Sequence, residues 1–118
     1  MTDEDTISRA DFIRMIELKR KPIFVKFTAS WCGPCKRIKP TVDNFISTMG
    51  DDKFTYLEID IDESMDLFGF MKSKKMVAGV PALLFYDMSA LTYAPTGACC
   101  TGNIDAVKVF LNNVIKAL

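Results

Sequence analysis

Apolar and polar positions change their spacing several times along the chain, and each change marks an element. Between Arg9 and Arg20 apolar side chains fall at Phe12, Ile13, Met15 and Ile16, at helical intervals. Ser8 followed by Asp11 has the spacing of a capping box, with the shorter carboxylate. Together they predict a helix over 9–20, ended by Pro22. IFVKFTA is β-branched and aromatic almost throughout and predicts a central strand over about 22–28. The helical period returns at Cys32, with Ile38, Val42, Phe45, Ile46 and Met49 on one stripe. Pro40 lies inside that stripe and is expected to kink it, because its ring removes a donor and crowds the preceding turn. Gly50, Asp51 and Asp52 are expected to close the helix.

FTYLEIDI, residues 54–61, is the next predicted strand. Alternation puts Tyr56, Glu58 and Asp60 on one face and Leu57, Ile59 and Ile61 on the other. Asp62 or Ser64 can cap a helix running to about Lys74, with Lys72, Lys74 and Lys75 near its end, where cations suit the macrodipole. ALLFY, residues 82–86, reads as a strand, and 91–94 are expected to pair with it. The chain finishes in a helix from about 104 whose buried face is Val107, Phe110, Leu111, Val114 and Leu118. A short extra strand near Thr6 is a further option. The order α, β, α, β, α, β, β, α predicts an α/β fold with a mixed sheet covered by helices on both faces. A parallel pair of strands must be joined by the 32–49 helix. That sets the helix's N-terminus at the carboxyl end of a central strand, where open α/β sheets carry their sites.

Composition narrows this picture. The length, 118 residues, predicts one domain over 1–118. Its 15 basic and 15 acidic side chains cancel, and no basic cluster interleaves with aromatics, which argues against nucleic-acid binding. MTDEDTISRADF is acidic and resembles neither a signal nor a transit peptide. The longest apolar stretch, VPALLFY, is too short for a bilayer, so a cytoplasmic chain with no membrane partner is expected. In a reducing compartment four cysteines point to catalysis, redox sensing or metal binding rather than a structural framework. The absence of histidine removes the commonest general base and the commonest zinc ligand.

Cys32 falls at the start of the predicted helix, where free N–H groups and the positive end of the macrodipole stabilise an anion. The thiolate is the nucleophile in disulfide exchange, so the position activates this thiol. Cys35 follows nearly one turn later, close enough to bridge to Cys32. Gly33 is expected to permit the tight approach. Pro34 stiffens the hinge where its missing N–H is harmless. Trp31 supplies an apolar shoulder limiting solvent access. Half of a zinc site remains the competing reading of a lone CxxC.

VKFTASWCGPCK, residues 25–36, resembles the active-site signature of the thioredoxin family, and GVP at 79–81 resembles a second family landmark before a strand. The resemblance runs over roughly residues 6–118. It implies a central mixed sheet of four to five strands flanked by about four helices on both faces. It also implies a cis Pro81 against Cys32 and Cys35, a Val80 backbone offered to extended substrate, and Gly97 in the apolar docking surface. The implied activity is reduction of disulfide-containing protein substrates, with Cys32 as nucleophile and Cys35 as resolving thiol. A separate thioredoxin-type reductase would restore the dithiol. No cofactor beyond the Cys32–Cys35 couple and no metal are implied.

Several features depart from the family pattern. Lys26 stands where the family usually has a buried aspartate, and Glu58 stands where the neighbouring strand usually has a lysine. Acid and base are therefore expected to have traded strands, which makes Glu58 the candidate proton acceptor for Cys35. The alternative is that Lys26 only reaches solvent past a strand end. The second departure is Cys99 and Cys100, in a loop longer than usual. They read as ordinary small residues, as regulatory or intermolecular thiols, or as zinc ligands with Cys32 and Cys35. The 65–78 segment is also longer than usual, and Ala82 stands where the family often has threonine.

Reduction of protein disulfides competes with two other readings. An oxidase or isomerase usually carries histidine within its CxxC. A scaffold that clamps a partner through the same rim needs no turnover. A monomer is expected, with a disulfide-linked dimer through Cys99 or Cys100 as the alternative.

Overall fold

The computed structural model describes residues 6–50 and 52–118. Helix α1, Arg9–Glu17, starts at Ser8, whose hydroxyl accepts the Asp11 N–H at 3.1 Å. It ends about three residues before the predicted limit, because Leu18 leaves helical geometry ahead of Pro22. Strand β1, Ile23–Thr28, and helix α2, Gly33–Met49, follow. Helix α2 runs on past Pro40 to Met49; Pro40 and Lys36, whose carbonyl loses its helical donor, are both exposed. Gly50 closes it with a positive φ of 76° and an N–H to the Ile46 carbonyl at 3.1 Å. Asp51, expected to help close it, lies outside the described residues.

Strand β2, Thr55–Asp60, and helix α3, Met65–Ser73, come next. Ser64 precedes α3 without capping it: its hydroxyl accepts the Ile7 N–H at 3.0 Å and so pins the segment before α1. Among the described residues no strand forms near Thr6. Strand β3, Ala82–Tyr86, matches the predicted limits, and helix α4 spans Ile104–Ala117 behind an Asn103 side-chain cap.

The partner of β3 is not 91–94. It is β4, Gly97–Cys99. Residues 91–94 belong to the connection, where the Tyr93 carbonyl accepts the Tyr86 hydroxyl at 2.6 Å. Pro95 has no N–H to donate, and pairing begins only after it, with Thr96 N–H on the Phe85 carbonyl at 2.8 Å.

The sheet order is β2-β1-β3-β4, with β1 parallel to β2 and antiparallel to β3. Alternation along β1 divides the core. Val25 and Phe27 join Phe12 and Ile16 of α1 and Leu67 and Met71 of α3 on one face. Phe24 faces α2 and α4, ringed by Phe45, Phe54, Tyr56 and Phe110 at centroid distances of 5.7–6.1 Å. Each such buried aromatic stabilises the fold by about 1.5–3 kcal/mol over its exposed state. Lys26 has the same parity as Phe24, which sends a charged side chain under the start of α2. Among the described residues no helix is long and apolar enough to cross a membrane.

Candidate active site

The strand-to-helix corner after β1 builds the site. Cys32 N–H returns to the Ala29 carbonyl at 3.2 Å and turns the chain. Cys32 is the residue that caps α2: it keeps extended geometry, and its sulfur accepts the Cys35 N–H at 3.1 Å. A thiol at this position meets one of the helix's free donors directly, which favours its anion. Cys32 and Cys35 are joined by a disulfide with Cα atoms 5.2 Å apart. Pro34 lies in the first turn, where no helical bond is lost. Both sulfurs' residues are nearly sealed, Cys32 at 4% and Cys35 at 2% exposure.

The seal differs from the one the sequence suggested. Ala29, Ile61 and Val80 pack on the cysteines, whereas Trp31 is 65% exposed and is held at the rim by Nε1–H to Asp62 at 3.0 Å. The sequence placed Ile61 on the apolar face of its strand and offered Asp62 as a helix cap, but gave neither a part in the site. The Val80–Pro81 bond is cis, and Pro81 is buried.

The glycines also change places. A Cβ at Gly33 would meet nothing within 4 Å, so Gly33 is not needed for close approach. Gly97 lies in β4 opposite Phe85, and a Cβ there would touch Phe110 at 3.5 Å, away from the dithiol. The glycine against the active-site loop is Gly102: a Cβ there would come within 2.6 Å of the Pro34 Cβ.

Beneath the dithiol, Lys26 and Glu58 are opposite each other in the β1/β2 register. Lys26 Nζ lies 3.5 Å from Glu58 Oε2, with the lysine side chain 1% exposed and the glutamate 39%. Lys26 therefore does not reach past a strand end to solvent. Glu58 Oε2 also accepts the Tyr56 hydroxyl at 3.3 Å and lies 4.0 Å from Lys39 Nζ. Lys39 in turn pairs with Asp43 at 3.0 Å, and Asp43 and Glu58 hold its ammonium above the usual lysine range. Burial, reinforced by Glu58, pushes the Tyr56 phenol far up, so it stays a donor. A cavity of about 200 Å³ connects this cluster to the site: Lys26, Glu58, Lys39, Lys36 and Asp60 line it together with Cys35.

Cys99 and Cys100 carry free thiols. Cys99 is half-buried in β4 opposite Leu83, and burial, then Cys100, pushes its thiol up. Cys100 is exposed. Among the described residues no three Cys, Asp or Glu side chains gather in a way that could hold a metal ion.

Comparison with known proteins gives a consistent result. The thioredoxin family profile matches residues 4–107. Thioredoxin 1 of Chlorobaculum tepidum is 32% identical over 88 residues, which cover 75% of this chain and 79% of that protein. The thioredoxin of Ophiophagus hannah is 32% identical over 91 residues, 77% of this chain and 81% of that one. Among solved structures, Trichomonas vaginalis thioredoxin superposes with a TM-score of 0.69 at 17% identity, covering 92% of this chain and 93% of that one. Plasmodium falciparum thioredoxin gives 0.67 at 24% identity, with 92% and 97% covered. At these identities the structures speak for the fold, and the sequence relatives speak for the family.

Proposed function

The chain belongs to the thioredoxin family, and we propose on that basis how its two cysteines and the charges beneath them divide the work. It is a thiol–disulfide oxidoreductase that reduces protein disulfides. In the reduced protein the Cys32 thiolate attacks one sulfur of a substrate disulfide, and the other substrate sulfur leaves as a thiolate. Cys35 then gives up its proton and attacks Cys32 Sγ. The second substrate thiol departs, and Cys32–Cys35 is left oxidised. Two electrons pass from the dithiol to the substrate, and a separate reductase returns them.

The observation that carries this assignment is the asymmetry of the pair. Cys32 caps α2 and has a backbone donor on its sulfur, whereas Cys35 is inside the helix above the Lys26–Glu58 cavity. Glu58 is the proton acceptor for Cys35 in this reading, because it lines the cavity with Cys35, is paired with buried Lys26 and is itself 39% exposed to solvent. Trp31, the Val80 backbone and Gly102 form the rim on which an extended substrate segment docks. A cytoplasmic setting goes with the reading, since reductants there keep thiols such as Cys99 and Cys100 reduced. The working unit is a monomer, and exposed Cys100 is the thiol through which two copies would link. Trapping tests the division of labour: Cys35→Ser should accumulate a mixed disulfide between Cys32 and a model protein disulfide, visible by mass. A trapped adduct on Cys35 in Cys32→Ser instead would reverse the roles.

A further inference from the structure

The most deeply buried charged group lining the cavity beneath Cys35 is Lys26. Lys26 is 1% exposed, so water does not screen it there. Its partner is a weak counterweight. Glu58 is 39% exposed, and its Oε2 is shared among Lys26 at 3.5 Å, Lys39 at 4.0 Å and the Tyr56 hydroxyl at 3.3 Å. The charged groups lining the cavity with Cys35 are Lys26, Lys36, Lys39, Glu58 and Asp60. Lys39, at 54% exposure, sits at the wet end. Coulomb interactions grow as the effective dielectric falls, so the sheltered cation outweighs the rim charges at Cys35.

We propose that Lys26 sets the redox equilibrium of the Cys32–Cys35 couple, by stabilising the thiolate of Cys35 in the reduced protein from below. The disulfide is neutral and gains nothing from a cation beneath it; the reduced pair gains when either sulfur is ionised. Lys26 thus favours the dithiol and makes the couple a weaker reductant than the same fold with an uncharged residue there. A couple is more oxidising when its reduced form is stabilised. Glu58 opposes Lys26, so the two residues act on the equilibrium with opposite signs. The inference rests on the reductase reading, in which Cys32 and Cys35 cycle between dithiol and disulfide.

The test is the equilibrium of the protein with reduced and oxidised glutathione at one pH, read by thiol count on the folded protein. For each protein the reaction is disulfide plus two glutathione thiols going to dithiol plus glutathione disulfide. Lys26→Met keeps side-chain volume and removes the charge. It should shift the equilibrium about three- to tenfold toward the disulfide, the lower part of the range for a nearby opposite charge; tenfold corresponds to about 30 mV. Glu58→Gln should shift it toward the dithiol. The double variant should fall between the two, and Lys39→Met should move it less than Lys26→Met. Shifts of Lys26→Met and Glu58→Gln in the same direction would mark a general disturbance of the site and overturn the proposal, as would no shift in Lys26→Met. A Cys32–Cys35 pair that fails to equilibrate with glutathione even in the wild type would instead remove the reductase reading beneath it.

Discussion

Lys26 and Glu58 stand opposite each other on adjacent parallel strands, with Nζ 3.5 Å from Oε2, the base sealed and the acid half open to water. A lone ammonium in this position would lose its hydration without return. The pairing holds it in the core, and the open carboxylate gives a proton released above it a route outward through the cavity shared with Cys35.

If Glu58 accepts the Cys35 proton, Glu58→Gln should slow resolution of the mixed disulfide about tenfold and leave the initial attack by Cys32 within about twofold. The figure lies below the usual range for a general base, because water also reaches this carboxylate. Stopped-flow measurement of the two steps separates them. Equal slowing of both would count against the assignment.

Gly33, Gly97 and Gly102 should respond differently to alanine. Gly102→Ala drives a Cβ to 2.6 Å from Pro34 and should destabilise the protein by about 1–3 kcal/mol while displacing the active-site loop. Gly33→Ala meets open space, and Gly97→Ala makes only an ordinary contact with Phe110. Both should unfold within about 1 kcal/mol of wild type in a denaturant titration. A Gly102→Ala variant as stable and active as the parent would show that this contact relaxes freely.

The two extra thiols should be distinguishable by alkylation. Cys100 is exposed, whereas Cys99 is half-buried with its thiol pushed up, so less of it is thiolate at a given pH. On the folded, oxidised protein near pH 8, iodoacetamide should label Cys100 first, and Cys99 should catch up only as pH rises. Peptide mass mapping at several times reads the order. Faster labelling of Cys99 would contradict its placement in β4.

Acid should loosen the tie between α1 and α3. The Arg9 backbone N–H and guanidinium hold the Asp66 carboxyl below its usual range. A carboxylate depressed in the folded state stabilises fully above its unfolded pKa, about 3.9, and loses that contribution as pH falls through the folded value. Arg9→Ala should therefore lower Tm at pH 7, and the gap from wild type should close toward pH 2. A gap that stays constant with pH would mean that the arginine acts by packing alone.

The parts of this molecule written in its sequence are those fixed by local periodicity. Helices α2 and α4 and strand β3 follow from apolar stripes, caps and a β-branched run, and their limits fall close to those expected. The corner at Cys32 was legible for the same reason, because a cap, a proline in the first turn and two cysteines sit within one short stretch. The Lys26–Glu58 pair was legible from the two departures from the family pattern, Lys26 for an aspartate and Glu58 for a lysine, with the alternation of the second strand in support. Strand β4 was not, because register is set by where pairing to β3 can begin, and that waits on the Thr96 bond beyond Pro95. Gly97 was matched to the family's later glycine and Gly102 was not considered; two glycines flank Cys99 and Cys100, and only the path of the loop over Pro34 tells them apart. Ile61 sealing the sulfurs depends on long-range packing that no local pattern announces.

The most direct measurement is dithiothreitol-driven reduction of a model protein disulfide, comparing wild type with Cys32→Ser. The capped, activated position of Cys32 requires the wild type to accelerate reduction well beyond dithiothreitol alone and the variant to match the uncatalysed rate. A wild type no faster than Cys32→Ser would contradict the account.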